Sequence, residues 1–144
     1  MLALSGRPDG GFDLSRATPT GHLATDPTLR TTVLLLLLTE GRALDEDLRP
    51  GDKHGGYWGN SYPDVPGWEL GSRLHILTRG KATNETARLI EQEIQARLKC
   101  MIEDGIVRET LVDLVWAGDR WEAQIGLVQD REQIEWVKLW EATI

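Results

Sequence analysis

The chain has little of what most site chemistry requires. A single cysteine, Cys100, stands among 144 residues, so no internal disulfide can form, and folding in a reducing compartment is the natural expectation. Histidine is scarce as well. His22, His54 and His75 are the three present, and none is spaced from another, or from Cys100, as zinc ligands are. Long apolar runs are missing: Val33–Leu38 spans only 6 residues, against the roughly 20 needed to cross a bilayer. The opening MLALSGRPDGG has no basic start and no apolar stretch of useful length, so no secretory signal is expected. Positive charge is also short. Lys and Arg number 16 against 23 Asp and Glu, a net charge of −7, which disfavours nucleic acid and anionic membrane as main partners. A phosphate-cradling loop is absent too, because Gly55-Gly56-Tyr57-Trp58-Gly59 does not lead into a helix opening with Lys and Ser or Thr. No cofactor and no metal are expected.

What remains is enough for an ordinary core. A chain of this length buries roughly 68–70% of its unfolded surface, and residues 1–144 read as a single domain with a long loop at about 40–67. Short strands at Met1–Leu4 and Gly11–Leu14 flank the turn Arg7-Pro8-Asp9-Gly10-Gly11, and a further extended piece reaches Leu23. Asp26-Pro27 then predicts a helix start, with Asp26 as N-cap. The helix that follows is apolar nearly all round, through Leu29, Val33–Leu38, so it is expected to be buried on more than one side. A buried strand is the competing reading of so short a run; five leucines favour helix.

Residues 40–67 show no period. Pro50, Pro63, Pro66 and five glycines from Gly41 to Gly59 break the stretch, and a structureless loop of this length is usually functional. A short helix is predicted over Glu69–Thr78 with Leu70, Leu74 and Leu77 on one face. The longest helix follows, capped by Thr83 or Asn84 and stopped at Gly105, with Ala87, Ile90, Ile94, Leu98, Met101 and Ile102 in its apolar stripe. Three strands close the chain, Ile106–Trp116, Trp121–Val128 and Gln133–Glu141. The expected class is α+β: short N-terminal strands, two to three helices, and a C-terminal three-stranded antiparallel meander packed on the long helix.

Candidate chemistry is thin. Asp45, Glu46, Asp47, Asp52 and His54 could suggest a hard-metal site, yet Pro50 stands at the sixth position from Asp45, where a calcium loop requires glycine. A solvated acidic loop is the better reading. Glu40 and Glu103 are the least arbitrary carboxylate pair for sugar hydrolysis, but with 23 acids in the chain a pair can always be nominated. His75 reads as a partly buried polar residue and Cys100 as a core or boundary residue. The tryptophans carry more. Six of them stand against two tyrosines and one phenylalanine. Trp116, Trp121, Trp136 and Trp140 fall on the predicted sheet, with Trp136 and Trp140 on one face, and both core and contact-surface roles are open. Tyr57 and Trp58, in a glycine-bounded loop, read as interface anchors.

The succession of short strands, GHLATDPTLRTTVLLLLLTEGRA, an acidic loop, GYWGNSYPDVPG and GSRLHILTRGKATNETARLIEQEIQARLKCMIEDGIV resembles the Mu-type phage baseplate wedge family. That family is similar in role to the small wedge proteins of T-even contractile-tail phages. The resemblance covers roughly residues 20–128. Its most specific parts are Leu23-Ala24-Thr25-Asp26, Gly56-Tyr57-Trp58-Gly59-Asn60 and Gly71-Ser72-Arg73-Leu74. The T-even relatives carry Glu-Pro-Arg where this chain has Glu103-Asp104-Gly105.

The resemblance implies a non-enzymatic structural subunit, present in multiple copies in a six-fold tail baseplate. It implies contacts with other wedge subunits, with the central spike or hub, and with the tail sheath, whose start it would help by strand addition. Such a protein is made in the host bacterial cytoplasm and ends in the virion. Tyr57, Trp58 and Tyr62 would anchor the loop, and Arg30, Arg42 and Arg73 would order the acidic stretch or pair with neighbours. Trp136 and Trp140 are further interface candidates. A cell-wall glycosidase and a carbohydrate-binding module of the tail are the alternatives.

Overall fold

The computed structural model describes residues 1–8, 11–16 and 21–139. β1 (Leu4–Gly6) and β2 (Phe12–Leu14) pair antiparallel with Leu4 opposite Leu14; Asp9 and Gly10 of the predicted turn lie outside the described residues. The segment near Leu23 returns along this hairpin. Ala3 N–H donates to the Ala24 carbonyl and Ala24 N–H to that of Ser15, both at 2.8 Å.

Helix α1 (Arg30–Leu38) starts later than the Asp26-Pro27 pair predicts. Asp26 Oδ1 accepts both the Thr28 N–H at 2.8 Å and the Thr28 hydroxyl at 2.6 Å. A short Asx-type turn thereby uses the carboxylate before the helix begins. Leu29 becomes the N-cap without a side-chain cap of its own. Glu135 supplies the acceptor instead, taking the Leu29 N–H at 3.1 Å and placing a carboxylate where the helix dipole favours one. Thr31, Val33, Leu34, Leu36 and Leu37 are buried, as the all-round apolarity of the run requires.

The predicted helix over Glu69–Thr78 shortens to α2 (Leu74–Leu77). The cause is a backbone crossing. Gly41 N–H donates to the Ser72 carbonyl at 2.8 Å and Ser72 N–H to that of Thr39 at 2.9 Å. The strands of chain approach so closely that a Cβ on Gly71 (φ +111) would stand 2.7 Å from Gly41 N. Residues committed to a bridge cannot also turn as helix, so Leu70 is only half-buried while Leu74 and Leu77 join the core.

Helix α3 (Asn84–Glu103) follows the expected bounds. Thr83 Oγ1 accepts the Thr86 N–H at 3.2 Å. At the far end Gly105 (φ +72) closes a Schellman motif, with Ile106 N–H to the Met101 carbonyl at 2.9 Å and Gly105 N–H to that of Ile102 at 3.1 Å. That motif consumes Ile106, so β3 opens at Glu109. β3 (Glu109–Trp116), β4 (Trp121–Asp130) and β5 (Gln133–Lys138) form an antiparallel meander in the order β3-β4-β5. Expected residues 140 and 141 of the last strand lie outside the described residues. Val112, Leu114, Trp121, Ala123, Ile125, Leu127 and Val137 face inward against Ile90, Ile94, Leu98 and Met101 of α3 and Leu34 and Leu37 of α1. The class is α+β, with the meander packed on the long helix.

Candidate docking surface

Between α1 and α2 the chain runs without regular structure except for single 3-10 turns at Asp45–Asp47 and Trp58–Ser61. Side chains, not a backbone ladder, give this stretch its shape. Asn60 grips the Leu70 peptide at both ends: its Nδ2 donates to the Leu70 carbonyl at 2.9 Å and its Oδ1 accepts the Leu70 N–H at 2.8 Å. The turn before it therefore presents large aromatics to solvent. Trp58 is 76% exposed, Tyr62 82%, Val65 64% and Trp68 45%. Tyr57 is half-buried and lies 5.5 Å from Trp58 between ring centroids. Four large apolar side chains held outward within eleven residues of chain are unusual for a free surface.

The acidic half of the loop is tied down by charge. Glu93 is buried on α3. Its carboxylate accepts the Arg73 N–H at 3.0 Å, Arg73 Nη2 at 3.3 Å and Arg97 Nε at 3.0 Å. Arg73 Nη1 in turn donates to Asp47 Oδ2 at 2.8 Å. Burial alone would lower the Arg73 pKa, but the Asp47 hydrogen bond and the Glu93 charge outweigh it and hold the guanidinium more firmly protonated. Asp52 accepts the Arg49 N–H and the Arg79 guanidinium, which depress its pKa in that order. Asp45 pairs with His54 Nε2 at 2.6 Å.

A groove follows this network. Clefts of about 210 and 480 Å³ share Glu69 and Arg97 in their walls. The smaller is lined by Leu36, Trp68, Ala96 and Cys100; the larger by Arg42, Leu44, His54 and Arg73. Arg42 is exposed, with no hydrogen-bond or ionic partner among the described residues.

The other predicted positions fall elsewhere. Arg30 lies at the N-terminal hairpin, donating to the Leu4 carbonyl at 2.9 Å and sitting 6.0 Å over the Phe12 ring. Trp136 is on the outer sheet face, 51% exposed, opposite Gly126, where an added Cβ would lie 3.0 Å from its indole. Trp121 is buried and meets the exposed Trp116 edge-on at 5.1 Å. Trp140 lies outside the described residues. Glu40 and Glu103 are both exposed; Glu103 pairs with Lys99 at 3.3 Å, and neither lines the groove. Burial, the largest cause, raises the Cys100 pKa above that of an ordinary thiol, the opposite of what an activated nucleophile needs. Among the described residues no group of three or more His, Cys, Asp or Glu is placed to hold a metal ion, and no helix is long and apolar enough to cross a membrane.

Sequence reasoning gave no role to Glu93, Arg97, Asn60 or Trp68. Glu93 carried a signal, since it falls between Ile90 and Ile94 on the buried stripe of α3. Asn60 closed the Gly56–Asn60 stretch of the resemblance, but its role was not legible, because its partner is a backbone peptide fixed only by the fold.

Known proteins place this architecture. The family model described as "Phage protein GP46" matches residues 29–133, which takes in α1, the loop, α3 and most of the meander. Over 66 residues the chain is 47% identical to the "Baseplate protein gp46" of Escherichia phage Mu, a match covering 44% of this chain and 43% of that relative. The chain belongs to the phage protein GP46 family.

Proposed function

We propose that the chain is a structural, non-catalytic subunit of the baseplate of a contractile-tail phage or phage-like particle, docked among the wedge subunits through its 57–68 loop. The name of the Mu relative supplies the baseplate. The observation that carries the docking is the outward presentation of Trp58 and Tyr62 from a turn clamped by Asn60. Exposed aromatics on a pre-ordered loop lose little conformational freedom on binding, which is what interface anchors need.

Contact with the sheath fits the C-terminal meander. β3 and β5 are both edge strands, and each offers unpaired backbone groups to a strand from a neighbour. Charged Glu109 and Asp113 along β3 are exposed and would discourage indiscriminate pairing. Virion location and assembly in the host cytoplasm follow from the same reading.

Trp58→Ala tests the docking. Because the ring is 76% exposed, the free protein should lose less than about 0.5 kcal/mol of stability. As an anchor, the same ring should contribute about 2 kcal/mol or more of binding, roughly 30-fold in affinity. The expected result is a folded variant that enters particles poorly. Normal incorporation of the variant would contradict the proposal.

A further inference from the structure

We infer that the outer face of the meander is self-complementary and receives the same face of a second copy of this chain, about a two-fold axis running along β4. The inference stands apart from the docking loop, because this face lies across the sheet from α1 and α3.

The antiparallel register sorts the outward side chains into rows across the three strands. Leu111 stands opposite Gly126, and Gly126 opposite Trp136. Asp113 stands opposite Gln124, and Gln124 opposite Lys138. Residues two apart on a strand share a face, so the two rows are neighbours. In the first, the indole of Trp136 covers Gly126, where an added Cβ would lie 3.0 Å from the ring and 3.1 Å from Leu111 Cβ. Trp136 nevertheless stays 51% exposed, so one side of the indole is open. The second row runs from a carboxylate through an amide to an ammonium, all exposed. None of these three side chains has a hydrogen-bond or ionic partner among the described residues. The other acids of the face stand at its ends. Glu122 is held by Arg120 at 3.1 Å, and Glu109 lies in the outermost row with Val128 and Ile134.

Aligned sheets pack face to face about 10 Å apart with their strands within about 30°. A two-fold axis between two such sheets, along β4, sets β3 of each copy against β5 of the other at the same height. Each row then meets its own reverse. Asp113 faces Lys138 of the partner subunit, and by symmetry the pair occurs twice. Leu111 faces the partner's Trp136, and the two Gln124 amides meet on the axis, each able to donate one N–H and accept another. The two-fold across the strands does the opposite: it sets β3 on β3 and brings Asp113 onto Glu109 of the partner subunit. A face that is acidic at one edge, basic at the other and unpaired at both therefore selects a copy of itself. Three strands about 4.8 Å apart and about eight residues of about 3.3 Å give a face of roughly 15 by 25 Å. A pair would bury on the order of 1,000 Å² in all, at the low end of specific interfaces, so association in the micromolar range is expected.

The test is the oligomeric state of the full chain, by sedimentation equilibrium across the micromolar range. The expected result is a monomer–dimer equilibrium. Asp113→Lys and Lys138→Asp each set like charges against one another, and each should raise the dissociation constant roughly tenfold or more. Carried together in one chain they exchange the two charges, and the constant should return to within about threefold of its original value. That rescue separates lost pairing from lost folding. Trp58→Ala should leave the constant unmoved.

A monomer at every concentration would overturn the proposal. So would a dimer that ignores both single charge reversals, or one dissolved by Trp58→Ala, which would move the contact to the aromatic loop. In assembled particles, p-benzoyl-phenylalanine in place of Ile134 should cross-link to a second copy; a cross-link only to a different baseplate protein would assign the face to that partner and overturn the pairing.

Discussion

Removing the charge of Glu93 is the sharpest test of how the loop is held. In Glu93→Gln the side-chain volume is kept, while Arg73 and Arg97 lose the anion that both address. Breaking a buried ion pair by removing one partner costs about 3–5 kcal/mol. Here the cost is smaller for two reasons. Arg73 keeps Asp47 at 2.8 Å, and the Arg97 side chain is 33% exposed, so water can solvate it.

About 2–3 kcal/mol is the resulting expectation. With a urea slope of roughly 1–3 kcal/mol/M, the midpoint should fall by about 1 M, and the melting temperature by about 5–10 °C. Glu85→Gln is the control. Its Arg88 partnership lies at the surface, with side chains 57% and 64% exposed, and its loss should leave the urea midpoint essentially unmoved. The loop also gives a local readout: amide exchange across Leu44–Leu48 should speed up in Glu93→Gln and not in Glu85→Gln. Equal midpoints for the two variants would refute the argument that the buried carboxylate organises the acidic loop.

Two further predictions follow from backbone and charge. Gly71→Ala should cost more than about 3 kcal/mol, because it combines a left-handed φ of +111 with a Cβ 2.7 Å from Gly41 N; Gly67→Ala, at φ +79 with open space around it, should cost only about 1 kcal/mol. Equal urea midpoints for these two would remove the close crossing as the cause. Acid titration should reveal Asp26 and Asp52, whose pKa values are held below the ordinary 3.8, Asp26 first by the Thr28 hydroxyl and Asp52 first by the Arg49 N–H. Depressed folded-state values stabilise the protein above the unfolded pKa and cease to do so as pH falls through the folded one. The gap in unfolding free energy between wild type and Asp52→Asn should thus be full well above the unfolded pKa and close as pH falls through the depressed folded one; a gap that widens on acidification would show the sign to be wrong.

How far the fold could be read from sequence depended on the range of the interactions. α3 was legible to the residue at Thr83 and Gly105 because cap and stop are local chemistry. The meander was legible because Trp121, Ala123, Ile125 and Leu127 alternate in plain view. The start of α1 was misplaced by three residues, since Asp26 found a nearer amide in Thr28 and the helix borrowed Glu135 from β5, 106 positions away.

α2 was overestimated because nothing local tells that Gly71 and Ser72 are claimed by Thr39 and Gly41. The candidate surface divides the same way. Trp58 and Tyr62 stood out by residue type and glycine flanks. Arg97 and Glu69, as walls of one groove, emerge only when α3 and the loop are brought together.

The central claim is that this chain works by docking within a tail baseplate, and it can be tested at its source. A tagged copy would be expressed in cells producing the parent particle, the particle induced, and the co-purifying proteins identified by mass spectrometry. The account predicts wedge, spike or sheath proteins in the eluate, lost or sharply reduced with Trp58→Ala. An eluate free of tail proteins, from cells that make complete particles, would contradict it.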